Sequence, residues 1–198
     1  MANFYLIRHA VHDALGERLT GRSPGVSLDR EGRAQAQELA ERLKGEHVTR
    51  VQASPRERAS ETAEFVARAC GLTPIETTSA LDEVDFGTWS GMELAALSRD
   101  PAWRRWNEHR ARARTPGGER MLDVQERVVG HMARMACEMR DEIAVLVTHA
   151  EVIRAALLHW LELSLDDWPR IEIAPASISK VALDEQGARV IAINEVVA

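Results

Sequence analysis

Cysteine is scarce in this chain, and so is any marker of a membrane, a nucleotide loop or a metal site. Its 198 residues hold two cysteines, Cys70 and Cys137. They are isolated, which excludes a cysteine-built zinc site and predicts buried thiols. No apolar stretch approaches the roughly 20 residues of a membrane-spanning helix. The start, Met1 to His9, lacks the charged and long apolar regions of a secretory signal, so the default expectation is cytoplasmic. No Gly-rich loop ends in Lys-Ser or Lys-Thr, and no Gly-x-Gly-x-x-Gly occurs, so neither nucleotide-loop signature is present. His9, His12 and Asp13 match no strong zinc spacing, and no metal is expected. There is no internal repeat, low-complexity tract or linker. The net charge of −6 gives no overall attraction to nucleic acid or anionic membrane.

What is present suffices for a core. At 45 % hydrophobic and 28 % charged residues, the composition is that of an ordinary globular protein. The length fits a single domain over residues 1–198. Strand-like and helix-like segments alternate, which predicts a layered α/β sandwich.

Residues 3–8 and 143–148 are short continuous apolar runs, the pattern of strands buried on both faces of a parallel sheet. Val48–Ala53 and Ile75–Thr78 read as further strands. Residues 9–29 read as a long loop. Asp29 is placed to cap a helix over about 30–44, and Ser54-Pro55 reads as N-cap and first position of a helix to about 69. Residues 91–114 read as one or two short helices broken near Pro101, and Thr115-Pro116-Gly117-Gly118 as a turn. A helix over about 121–140 carries Val128, Met132, Met135 and Met139 on one face, a stripe read as core. Another helix follows over about 150–161. Residues 171–194, around Asp184-Glu185-Gln186-Gly187, read as a hairpin at the sheet edge.

The chemistry-bearing residues fall at the ends of these strands. Arg8 and His9 close the first run, and His149 closes the run at 143–148. In open α/β sheets ligands bind beyond the carboxyl ends of the strands. Arginine beside histidine there points to an anion, most simply phosphate. His9 is the candidate nucleophile, since a neutral imidazole nitrogen attacks phosphorus when the other nitrogen is held by an acceptor. A lone histidine would be read as structural; the company of Arg8, Arg58 and His149 argues otherwise. Arg8 and Arg58 are candidate phosphate clamps. His149 is a candidate donor, aided by the backbone N–H groups near Ala150 at a helix start, or else a capping histidine. Glu83 is the candidate general acid and base, with Asp82 and Asp85 as rivals on chemistry alone.

These segments together resemble the histidine phosphatase superfamily, in its phosphoglycerate-mutase-like branch. Leu6-Ile7-Arg8-His9-Ala10 is similar to the family's opening Arg-His-Gly motif, and Leu19-Thr20-Gly21 to its first substrate loop. Leu28 to Gly32, with Gln35-Ala36, is also similar. Ala53-Ser54-Pro55 through Arg58 to Glu61-Thr62-Ala63 resembles the segment with the second arginine. Leu81 to Gly91 matches the acid loop, which selects Glu83 over its neighbours. Pro116 to Glu119 and Val145 to His149 complete the order.

The resemblance implies a mainly parallel sheet flanked by helices, and phosphoryl transfer through a phosphohistidine with no metal and no cofactor. By position His9 would be nucleophile and Glu83 proton donor. Arg8, Arg58 and His149 would hold the phosphate, with Thr20 and Gly21 near the substrate. Ala10 and Ala150 replace the glycines common after each histidine. Val11-His12 replaces the usual Glu-Thr or Glu-Ser pair, and Leu15 stands about where an Asn often contacts substrate. His12 is read either as an added pocket donor or as a surface histidine.

The expected activity is hydrolysis of a small phosphorylated metabolite. The alternatives are a phosphoglycerate-type mutase, or a phosphohistidine-signalling or phosphoprotein phosphatase domain. Residues 99–120 carry seven arginines (99, 104, 105, 110, 112, 114, 120) against three acids. They are read either as a basic lid or as a solvated helix anchored by Trp103 and Trp106. No oligomeric state follows from the sequence.

Overall fold

The computed structural model describes residues 1–196. A six-stranded sheet runs in the order β3-β2-β4-β1-β5-β6. Its strands are β1 (Ala2–Arg8), β2 (Val48–Ala53), β3 (Glu76–Thr77), β4 (Ile143–Thr148), β5 (Ile178–Asp184) and β6 (Gly187–Glu195). β3, β2, β4 and β1 are parallel; β5 and β6 form the antiparallel edge hairpin.

The two central strands explain their own composition. In β1, Tyr5 and Ile7 face α1 (Arg30–Leu43) and α2 (Glu57–Cys70), where Leu39, Leu43 and Val66 meet Val145 and Val147 of β4. The alternate residues Phe4 and Leu6 face α5 (Met121–Glu138) and α6 (Ala150–Trp160), where Val128, Met132 and Leu157 meet Ala144 and Leu146. A strand covered on both sides has no polar face, hence the unbroken apolar runs. Leu146→Ala, at a position with no solvent exposure, is expected to cost about 2–5 kcal/mol, read by denaturant unfolding.

Local chemistry sets the other ends. Asp29 caps α1 by accepting from the Gly32 N–H at 2.7 Å. Residues 91–114 form α3 (Leu94–Leu97) and α4 (Pro101–Glu108), with Pro101 in the first turn of α4 after the Asp100 cap.

Three expectations are corrected. Ser54 does not cap α2, whose N-cap is Arg56; the Ser54 N–H instead extends the sheet by donating to the Val147 carbonyl at 2.9 Å. Cys70 is half-buried and Cys137 exposed, because Cys137 lies off the Met132–Met135–Met139 face that α5 turns to the core. Of the seven arginines read as a basic lid or a solvated helix, Arg110 is buried and lines the cavity by the site, while the other six are exposed and outside its lining. Trp106 is buried and Trp103 half-buried as the anchors of α4, packed against Phe86 and Trp89. Among the described residues no helix is long and apolar enough to cross a membrane.

Candidate active site

Parallel pairing brings the strand ends together. Arg8 registers with Thr148, and Ala53 with Val147. The next residue of each strand, His9, His149 and Ser54, therefore leaves the sheet at one edge. His9 N–H donates to the Thr148 carbonyl at 2.9 Å. A cavity of about 690 Å³ opens above them. Arg8, His9, Glu83, Thr20 and Gly21 line it, with His12 and Leu15. Arg58 and His149, both fully buried, back His9.

The His9 ring nitrogens have distinct roles. Nδ1 lies 2.8 Å from the Ala10 carbonyl oxygen, which can only accept, so the proton is on Nδ1. Nε2 then carries the lone pair and accepts from Arg58 Nε at 3.3 Å. Burial, followed by the charges of Arg58 and Arg8, holds the ring well below the usual histidine range, so it is neutral at pH 7.

Arg58 is the hub of the site. Its Nη2 donates to the Gly21 carbonyl at 2.9 Å and lies 3.2 Å from His149 Nδ1 and 3.9 Å from Glu83 Oε2. Arg58 Nη1 and Arg8 Nε are sealed from solvent without a partner among the described residues. Arg8 Nη1 is held by the Ile173 carbonyl at 2.7 Å. Arg8 lines the cavity and Arg58 lies behind His9, and buried donors left unmet on both favour an anion there.

His149 sits at the N-cap of α6, but its side chain makes no cap hydrogen bond among the described residues, so the capping reading is set aside. Its Nε2 lies 2.7 Å from Ser54 Oγ. That hydroxyl can accept from Nε2–H. In the free protein the Arg58 Nη2 donor faces Nδ1, so the proton sits on Nε2; once an anion takes that Arg58 N–H, the hydroxyl can rotate to donate to Nε2 and leave a proton on Nδ1 for the anion. Burial and then Arg58 keep this ring neutral too.

Glu83 stands apart from its rivals. Asp82 is tied into ion pairs with Arg56 at 2.9 Å and Arg22 at 3.4 Å. Asp85 spends a carboxylate oxygen on the Gly87 N–H. Glu83 accepts from the Val84 N–H through Oε1 and aims Oε2 at His149 Nδ1, 3.5 Å away. Burial pushes its carboxyl up to about 7, against the opposing pull of Arg58. The loop is fixed by a close crossing: a Cβ on Gly118 would lie 2.0 Å from the Asp85 carbonyl oxygen. Glu119 follows, accepting from the Asp85 N–H and from Arg22.

The far wall is aromatic, with Phe86, Trp103, Trp106 and Trp168. Arg110 is sandwiched there, 4.3 Å from the Trp106 ring centre and 3.7 Å from that of Trp168. It pairs with Glu151, which also holds Arg154 at 2.8 Å.

A family model described as "Histidine phosphatase superfamily (branch 1)" matches residues 4–196. The chain belongs to the histidine phosphatase superfamily. The Hydrogenobacter thermophilus protein named phosphoserine phosphatase 1 is 29 % identical to this histidine phosphatase over 199 residues, 98 % of this chain and 92 % of that one. The Arabidopsis thaliana protein named phosphoglycerate mutase-like protein 4 is 32 % identical over 158 residues, 78 % of this chain and 69 % of that one. A solved mycobacterial glucosyl-3-phosphoglycerate phosphatase superposes with a TM-score of 0.87 at 26 % identity, covering 98 % of both chains. The family and its phosphatases mark this histidine phosphatase as a phosphoric monoester hydrolase.

The structure brings together all five residues singled out for catalysis from the sequence. Ser54, Glu151 and Arg154 are not among the sequence candidates, and Arg110 is there only as one arginine of the basic segment. Ser54 is hidden by its Ser-Pro cap pattern; the places of the other three depend on long-range packing that no local motif records.

Proposed function

We propose that this histidine phosphatase hydrolyses a small phosphomonoester through a phosphohistidine on His9, with Glu83 as general acid and base, inside a single domain. The carrying observation is the His9 tautomer: Nδ1 is spent on the Ala10 carbonyl and the Nε2 lone pair meets a guanidinium. A phosphoryl group entering there finds unmet donors on Arg8 and Arg58.

In the first step the P–N bond to Nε2 forms and the P–O ester bond breaks. The Glu83 carboxyl gives its proton to the leaving oxygen. In the second, the Glu83 carboxylate takes a proton from water, whose oxygen attacks phosphorus and breaks the P–N bond. His9 and the Glu83 carboxylic acid are restored, and inorganic phosphate leaves. Arg8, Arg58 and His149 hold the phosphoryl oxygens throughout, and the Thr20–Gly21 loop borders the ester group. The cavity volume is that of a small-molecule site rather than a protein-docking face, which supports a phosphorylated metabolite as substrate.

The test is hydrolysis of an aryl phosphate in excess chelator. Undiminished release of inorganic phosphate is expected; loss of activity on chelation, restored by a divalent metal, would contradict the metal-free route. The same assay with a phosphoglycerate separates hydrolysis from the mutase activity that relatives' names suggest. Free phosphate is the expected product, and positional transfer without its release would favour the mutase.

A further inference from the structure

His12 is buried beside the reacting atoms, and the mechanism above leaves it unused. The chain between His9 and His12 is pinned from both helices on that side. The Ala10 N–H donates to Thr62 Oγ1 of α2, and the Val11 N–H to Gln35 Oε1 of α1, each at 3.1 Å. Gly32 of α1 lies against Val11, where a Cβ would stand 1.9 Å from the Val11 carbonyl oxygen. The His12 carbonyl then closes a turn by accepting from the Leu15 N–H at 2.9 Å.

This pinned turn sets the imidazole into the cavity wall, 3 % exposed, its ring centre 5.4 Å from that of His9. Its Nδ1 is sealed from solvent and without a partner among the described residues. A buried histidine kept for packing alone is normally hydrogen-bonded. An orphaned N–H is rarer than an under-used acceptor, so the ring proton belongs on Nε2, the nitrogen left for the cavity.

The charged and titratable groups around it are Arg8 and His9 at the end of β1, Arg58 on α2, Asp29 at the cap of α1, and Asp13 beside it. Burial and the two arginines outweigh the two aspartates and bring the ring down to about 4. His12 is therefore neutral at pH 7, with one N–H to give.

We infer that His12 is a third imidazole of the phosphate pocket, whose Nε2–H donates to an oxygen of the phosphoryl group transferred to His9. The inference rests on the proposed phosphohistidine reading. A phosphoryl group on His9 brings three strong acceptor oxygens next to a donor that has none in the free protein. His12 holds that group without adding positive charge, and so without competing for the Glu83 proton.

The test compares wild type with His12→Ala, His12→Phe and His12→Gln, all checked for folding by thermal melting. Two quantities are read: kcat/KM for an aryl phosphate, and the inhibition constant of inorganic phosphate. Removing the donor, with Ala or with Phe where Ala does not fold, is expected to lower kcat/KM about tenfold to a hundredfold and to weaken phosphate inhibition in parallel. Gln, a neutral donor, is expected to recover part of both. Folded donor-free variants that keep both quantities within about twofold of wild type would overturn the inference, as would a lowered melting temperature with unchanged kcat/KM. A wild type that neither hydrolyses the ester nor responds to phosphate would instead overturn the phosphatase reading itself.

Discussion

Replacing His9 by alanine is expected to lower turnover of any phosphate ester by about five orders of magnitude or more. Losses of that size follow when a covalent nucleophile is removed and only binding and transition-state stabilisation remain. No neighbour can substitute. His149 presents Nδ1 to Arg58 and Glu83 and Nε2 to Ser54, and Ser54 lies behind His149. His12 carries its proton toward the cavity and has its free lone pair sealed away. The fold is expected to survive, because Arg58 keeps the Gly21 carbonyl when the His9 acceptor is lost. Rapid quench with a radiolabelled ester is expected to show an acid-labile label on wild type and none on the variant. Retention of more than about one hundredth of wild-type turnover would place the nucleophile elsewhere.

Glu83→Gln is expected to give the second largest effect, and its size is expected to depend on the leaving group. A general acid contributes roughly 10²- to 10⁴-fold when the departing oxygen is a poor leaving group. An alkyl phosphate is therefore expected to lose about that much in kcat/KM, and an aryl phosphate far less, since a phenolate leaves without full protonation. Equal losses on both would remove leaving-group protonation from the account. The pH dependence has a defined sign. With the carboxyl at about 7, the acid form is lost as pH rises through 7, so kcat/KM for the alkyl ester falls there in wild type. Gln abolishes that inflection.

Stability moves in the same window. A carboxyl raised in the folded state above its unfolded value makes the folded protein bind more protons, so its contribution to stability declines as pH rises toward 7. Glu83→Gln is therefore expected to gain stability on wild type between about pH 5 and about pH 8. Burial that costs stability at neutral pH is what keeps a carboxylic acid available there.

The strands that carry the site were legible because they are buried on both faces. Residues 143–148 read as a strand and form β4 with those bounds. Two histidines at the carboxyl ends of strands in a parallel sheet can meet in one cleft, and the β1–β4 pairing brings His9 and His149 together; Arg58, in the first turn of the helix after β2, was legible in their company. Glu83 was legible only through the resemblance, because the difference between it and Asp82 is made by Arg56 and Arg22, which arrive from other segments. His12 stood undecided, and the contacts that bury it come from α1 and α2. The place of Cys137 was readable from helical spacing, two residues past Met135 and off the core face. Reading it by residue type gave the wrong answer. Arg110 looked like its six exposed neighbours until Trp168, from beyond α6, closed over it.

The central claim is that the Nε2 lone pair of His9 takes the phosphoryl group. The most direct measurement is to trap the phosphoenzyme at high pH, where phosphohistidine persists, and to locate the phosphate by peptide mass spectrometry and phosphorus NMR. The expected result is a single phosphate on His9, bonded to Nε2, because Nδ1 is engaged with the Ala10 carbonyl. Phosphate on Nδ1, on another residue, or on no residue at all during turnover would contradict it.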